Sequence, residues 1–168
     1  ILFARIMLEA VEKCGVAGVY FPRQDGSAPS TLYSLLLQLY HRGHEGAGIA
    51  SFDYSDGIRL HKAVGRIRDV FREGEIPAKM NGNVAIGHTR YGTVGLKEPS
   101  RYLHPISSPN NQFYIAHNGT ITPLELSRLM SDLGVKDAFD TEILSALLER
   151  ELNGTKNWVK ALESASRY

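Results

Sequence analysis

Apolar positions in this chain come in short runs separated by Gly, Pro, Asn and Asp, and the spacing within each run predicts an element. Ile1 to about Glu12 carries helix-forming residues, arranged as a short amphipathic helix or a disordered leader. Val16 to Phe21 is apolar and β-branched between Gly15 and Pro22, which predicts a buried strand. "RQDGSAPS" is loop chemistry, after which Ser30 is expected to cap a helix over "TLYSLLLQLYHRG" that stops at Gly43. "AGIASFDYSDGIRLHKAVG" reads as a β-hairpin turning at Asp56-Gly57. A charged helix is expected from Ile67 to about Arg72. "NVAIGHTRYG" then reads as a strand entering a glycine-punctuated loop, and "QFYIAHNG" repeats that form.

Helices take over in the last third. Thr122-Pro123 has the N-cap and first-turn proline that start a helix, and Gly134 ends it. Asp140 is expected to cap "TEILSALLEREL", with Asn153-Gly154 as its stop, and a final helix runs from about Asn157. Strands and helices in mixed order, joined partly by hairpins, predict a largely antiparallel sheet in an α+β layered architecture. The sequence has no internal repeat and no low-complexity segment.

Composition narrows the function classes. At 168 residues, with 43% hydrophobic and 22% charged residues, the chain has ordinary globular usage and room for one domain with a core. A formal charge of +1 gives no basic field, so no nucleic-acid partner is expected. One cysteine excludes an intrachain disulfide and an all-cysteine metal cage, as suits a reducing compartment. The apolar start is broken by Arg5 and lacks a small-residue cleavage pattern, and no run approaches the ~18 apolar residues of a membrane span. A soluble, cytoplasmic protein without a membrane partner is expected. The sequons at Asn118 and Asn153 then read as chance matches.

Three strand ends are expected to carry polar clusters that core packing does not explain: "HRGHEG" from His41, "HTRYG" from His88, and "HNG" from His117. Each has a bland reading alone. "HNG" is a common turn, and an Arg after a strand is usually solvated. The histidines lack the spacing of metal ligands, so no metal site is expected. Taken with Cys14 the clusters make a different set. Cys14 is a nucleophile candidate, Arg90 offers a planar fork for a carboxylate, Asn118 and the Gly119 N–H are donors for an oxyanion, and Asp140 suits an ammonium. Those parts would bind free glutamine and hydrolyse its side-chain amide.

"CGVAGV", "YHRGHEGAGIA", "GHTRYGTVG", "AHNGTIT" and "DTEIL" occur in the order in which class II glutamine amidotransferases carry their motifs, and from Cys14 to Leu144 the chain resembles that family. The resemblance implies an amino-terminal-nucleophile hydrolase fold, a four-layer αββα sandwich, here incomplete at its C-terminus. It also implies a leader or propeptide over residues 1–13 and a glutaminase domain over residues 14–168. Tyr91 after Arg90, and no His after Thr93, resemble the branch that acts on phosphoribosyl pyrophosphate rather than the glucosamine-6-phosphate synthase branch.

The resemblance implies a mechanism as well. Cleavage before Cys14 exposes an α-amino group, pKa about 7.7–8.0, that serves as base for the cysteine's own thiol. An amide nitrogen at that place cannot take the proton, so the uncleaved form is expected to be almost inactive. Cys14, Asn118 and Gly119 form the expected catalytic set, and Arg90, Asp140, Arg42, Tyr91 and Thr93 the expected glutamine-binding set. His88 is expected to be a structural polar anchor. Ammonia would pass to a phosphoribosyltransferase domain or subunit that makes 5-phosphoribosylamine, the first step of de novo purine synthesis. No cofactor is expected on this chain, Mg²⁺ belongs with that other domain, and the full-length form is expected to be a homo-oligomer. The alternative is a non-catalytic, glutamine-binding or regulatory relative that keeps its leader.

Four positions depart from the family pattern: His44 and Gly46 where Gln and Ser are usual, Gly92 where Ser is common, and Phe139 where Ser precedes the Asp. None removes a principal catalytic group.

Overall fold

The computed structural model describes residues 14–23, 26–72, 76, 80–92 and 99–167. The expected leader, residues 1–13, and Thr93 lie outside the described residues. The chain divides into two compact units, residues 1–104 and 105–168.

The first unit is built on a four-stranded sheet that is antiparallel, as the hairpin pattern predicts, and has the order β1-β4-β2-β3. β1 is Gly15–Tyr20, β2 Gly46–Asp53, β3 Gly57–Val64 and β4 Val84–Arg90. The β2–β3 turn closes with Asp53 opposite Gly57. Gly57 has φ +74, and the Asp53 carboxylate accepts from the Ser55 N–H at 2.8 Å and from the Ser55 hydroxyl. Those two bonds hold the Asp53 carboxyl below the usual carboxylate range. The dipeptide seen in the sequence works because glycine takes the left-handed conformation without strain.

Helix α1, Ala28–Gln38, covers one face of the sheet, with Leu32 and Leu36 fully buried among Ile49, Ile67 and Ala85. Its cap is Ser27, whose hydroxyl accepts from the Ser30 N–H at 3.4 Å, and Pro29 lies in the first turn. The cap thus falls three residues earlier than the pattern predicted, because a first-turn proline lacks only an N–H that has no helical partner. A 3-10 turn, Tyr40–Arg42, follows before Gly43 extends the chain. The charged helix α2 is a single turn, Ile67–Val70, shorter than predicted.

Across the sheet's other face run Leu103 and His104. A Cβ on Gly48 would collide with the His104 carbonyl, and Lys62 donates to the Leu103 carbonyl at 2.7 Å. Gly48 therefore admits a backbone where a side chain would stand. His88, paired with Gly48 across the strands, is 1% exposed and meets the His104 ring edge-on, centroids 4.5 Å apart.

The second unit pairs a short hairpin with three helices. β5, Ile106–Ser107, and β6, Tyr114–Ile115, are antiparallel. The predicted strand over "QFYIAHNG" is thus only two residues long, and Ala116 to Asn118 continue without ladder pairing. α3, Pro123–Leu133, has the predicted cap: the Thr122 hydroxyl accepts from the Glu125 N–H at 3.3 Å, and Gly134 closes it at φ +69. α4, Asp140–Thr155, begins one residue earlier than expected, with Phe139 at the cap and its N–H donating to the Glu142 carboxylate at 3.1 Å. It runs through Asn153-Gly154 and stops at Lys156, φ 53. α5, Trp158–Ala165, is capped by the Asn157 side chain, which accepts from the Lys160 N–H at 3.1 Å. Leu129, Ile143, Leu147, Leu148 and Ala165 form this unit's core.

Candidate active site

The expected site residues divide between the units. Cys14, Arg42, Arg90 and Tyr91 belong to the first, and Asn118, Gly119 and Asp140 to the second.

In the first unit, antiparallel pairing of Gly15 with Thr89 sets Cys14 alongside the end of β4. Gly15 has no room for a side chain there: a Cβ would lie 2.6 Å from Thr89 Oγ1 and 2.9 Å from Leu39 Cβ. The half-buried Cys14 sulfur accepts the Tyr91 N–H at 3.3 Å and lies 3.7 Å from the Tyr91 carbonyl oxygen. A peptide N–H aimed at sulfur is a donor that a thiolate can use. Arg42 Nε donates to the Cys14 carbonyl at 3.4 Å, so the 3-10 turn grips the backbone of the candidate nucleophile.

Gly43 makes that grip possible. A Cβ on it would come within 2.6 Å of the Thr89 carbonyl oxygen, so only glycine lets the turn lie against β4. The Arg-Gly pair acts as one unit.

Arg90 is held from the opposite direction. Its Nη1 donates to the Tyr102 carbonyl at 2.7 Å, and its Cζ lies 5.2 Å from the Tyr102 ring centroid. A guanidinium has five N–H donors, so one bond and one ring contact orient it while leaving the capacity for a carboxylate. The His44 ring meets the Tyr91 ring edge-on at 5.9 Å, and the Glu45 N–H donates to the Arg90 carbonyl at 3.0 Å.

In the second unit, Asn118 and Gly119 are exposed in the segment after β6. A Cβ on Gly119 would overlap the His117 ring, which folds back beneath it. His117 Nδ1 is 3.3 Å from Thr141 Oγ1. Asp140, half-buried as the first residue of α4, accepts through Oδ1 from the Thr141 N–H at 2.7 Å and the Thr141 hydroxyl at 3.2 Å. One buried threonine therefore touches both expected parts of this unit's site. Thr141 and His117 were not among the expected site residues. The available signal was position, since each directly neighbours an expected site residue.

Among the described residues, no group of three or more His, Cys, Asp or Glu comes together to hold a metal ion. No helix among them is long and apolar enough to cross a membrane.

No protein-family model matches the chain. The amidophosphoribosyltransferase of Methanothermobacter thermautotrophicus is 33% identical over 163 residues, covering 94% of this chain and 34% of that protein. The amidophosphoribosyltransferase of Lacticaseibacillus casei is 34% identical over 160 residues, covering 92% of this chain and 78% of that protein. The chain belongs to the amidophosphoribosyltransferase family. A solved structure of the Bacillus subtilis glutamine phosphoribosylpyrophosphate amidotransferase, complexed with ADP and GMP, superposes with a TM-score of 0.71 at 32% identity. The match covers 90% of this chain and 32% of that one. The chain spans about a third of the length of the first curated amidophosphoribosyltransferases it matches. The mixed helices and sheets agree with the α+β class expected from the sequence.

Proposed function

We propose that the chain is the glutaminase part of an amidophosphoribosyltransferase. It hydrolyses glutamine through a cysteinyl thioester and delivers ammonia to a phosphoribosyltransferase domain or subunit, which makes 5-phosphoribosylamine in the first step of purine synthesis. The observation that carries the reading is the placement of Cys14, with its sulfur on the Tyr91 N–H and its carbonyl held by Arg42. On this reading residues 14–168 form one glutaminase domain of the αββα amino-terminal-nucleophile type. Residues 1–13 are a leader. The protein is cytoplasmic, its full-length form is a homo-oligomer, and Mg²⁺ belongs to the transferase domain.

The chemistry follows from the groups present. Cleavage of the Lys13–Cys14 bond frees an α-amino group that takes the thiol proton. The sulfur attacks the glutamine side-chain carbonyl carbon, and the electron pair moves to oxygen, where the Asn118 side chain and Gly119 N–H stabilise it. Losing one such donor typically costs ~10²–10³ in rate. The carbonyl re-forms as the C–N bond breaks, and the nitrogen takes the proton from the ammonium and leaves as ammonia. Water then adds to the thioester, releasing glutamate and restoring the thiol. Arg90 takes the substrate carboxylate and Asp140 its ammonium.

Intact-mass and amino-terminal sequencing of the protein, before and after treatment with 6-diazo-5-oxo-norleucine, test this reading. A chain starting at Cys14 and alkylated there is expected, with slower labelling in Arg90→Ala and Asp140→Ala. Equal labelling of both variants sinks the site. A persistent leader, with glutamine bound but Cys14 unlabelled, instead supports a non-catalytic glutamine-binding relative.

A further inference from the structure

We propose that Thr141 is a positioning residue for glutamine. Its hydroxyl links His117, which lies under Gly119, to the Asp140 carboxylate, and so sets the ammonium acceptor and the oxyanion loop in one frame. This rests on the roles proposed above for Asp140, Asn118 and Gly119. Thr141 is fully buried, and its two polar groups both reach Asp140 Oδ1, the N–H at 2.7 Å and the hydroxyl at 3.2 Å. Two donors on one oxygen fix the rotation of the carboxylate, and Oδ2 is the oxygen that takes the substrate ammonium.

The hydroxyl has a single proton. Given to Asp140, it leaves the Thr141 oxygen as acceptor for His117 Nδ1 at 3.3 Å, which must then carry a proton. The direction of the chain is therefore set: His117 Nδ1–H to Thr141, Thr141 O–H to Asp140. In the neutral ring, Nε2 is left as the unprotonated nitrogen on the side that packs beneath Gly119. A Cβ at 119 would overlap that ring, so any other residue there would displace the imidazole from this place. The imidazole thus supports the Gly119 backbone while its other nitrogen is tied, through Thr141, to the substrate-binding acid.

Two substitutions separate positioning from packing. Thr141→Ser keeps the hydroxyl and loses a methyl group, whereas Thr141→Val keeps the shape and loses the hydroxyl. Calorimetric titration of the full chain with L-glutamine, alongside thermal melts, reads both. Thr141→Ser is expected to bind glutamine within about threefold of the parent even where its melting temperature falls. Thr141→Val is expected to bind about tenfold or more weakly, as for loss of a hydrogen bond to a charged group. If affinity follows melting temperature in both variants, the residue is only structural and the proposal is overturned. A parent chain that binds no glutamine overturns the glutaminase reading and this proposal with it. Unchanged affinity in Thr141→Val overturns the positioning role alone. Imidazole ¹⁵N shifts of His117 in the parent give a readout independent of any variant folding. Protonated Nδ1 with unprotonated Nε2 is expected in the neutral ring, and the opposite tautomer rules out the chain of bonds.

Discussion

Glu149 offers a direct test of how the second unit holds its hairpin. The residue is 4% exposed on α4 and accepts from Ser108 Oγ at 2.8 Å and from Asn110 Nδ2 at 3.1 Å. The Asn110 N–H bridges both carboxylate oxygens at 3.1 and 3.2 Å. Its carboxylate is thus the anchor for the β5–β6 turn, where Asn111 sits at φ 56. In Glu149→Ala the Ser108 hydroxyl, itself 1% exposed, loses its charged acceptor, whereas the exposed Asn110 can turn to water. The Ser108 oxygen keeps the Gln112 N–H at 3.0 Å, but a buried O–H without an acceptor costs about 1–3 kcal/mol. The lost charge-assisted bonds add to this, and relief of the carboxylate's desolvation offsets part of it. A net loss of about 2–4 kcal/mol follows, or a fall in Tm of roughly 4–16 °C for a chain of this size. Urea titration followed by circular dichroism measures it. A loss below about 0.5 kcal/mol, typical of an unremarkable surface change, would refute the anchoring argument.

Two further outcomes are expected. Gly15→Ala forces a Cβ to within 2.6 Å of Thr89 Oγ1, so it should cost about 1–3 kcal/mol by chemical denaturation and slow alkylation of Cys14 by displacing the start of β1. The Glu151 carboxyl is held below its ordinary 4.5 first by the Ser164 hydroxyl and then by Arg150. Its contribution to stability is therefore present above about pH 4.5 and is lost as pH falls through the lower folded value. Ser164→Ala should raise the Glu151 midpoint in an NMR titration, and an unmoved midpoint would refute the assignment of cause.

What the sequence made legible was local. The hairpin at Asp56-Gly57, the Thr122-Pro123 start and the Gly134 stop are each decided within four residues; the two helix signals stand as predicted, and the hairpin loop falls on residues 54–56 with Gly57 opening β3. The errors also have local causes. Ser27 and Ser30 flank the same proline, and their hydroxyls lie 3.0 Å apart, so either suits the cap pattern. Asn153-Gly154 did not stop α4, because a helical glycine costs only about 1 kcal/mol and tertiary packing can outweigh it. Long-range bonds were hidden. Glu149 looks like part of a solvated Glu-Arg-Glu run until Ser108, 41 residues away, is folded onto it. The link from His117 to Thr141 spans 24 residues and leaves no periodic trace. The motif residues of the first unit were legible as a set because their chemistry is scarce, yet nothing in the sequence disclosed that Tyr102 orients Arg90.

The departures from the family pattern take on meaning from their neighbours. A Cβ at 92 would overlap the Glu45 carboxylate as it lies here, so a serine there moves the end of that exposed side chain, and next to it the His44 ring packs on Tyr91. Residues 44–45 and 91–92 therefore lie against one another beside the peptide that holds the Cys14 sulfur. At the start of α4 the effect is chemical. A serine at 139 would supply a capping oxygen, whereas Phe139 has none, and Asp140 Oδ1 takes the Thr141 N–H instead. The expected ammonium acceptor thereby acquires a second duty, closing the first turn of its own helix. That duty fixes the carboxylate in place and draws electron density from one of its oxygens. A serine restored at 139 would take over part of the capping and loosen Asp140, so a substitution toward the common family residue is expected to weaken the ordering of the candidate glutamine site.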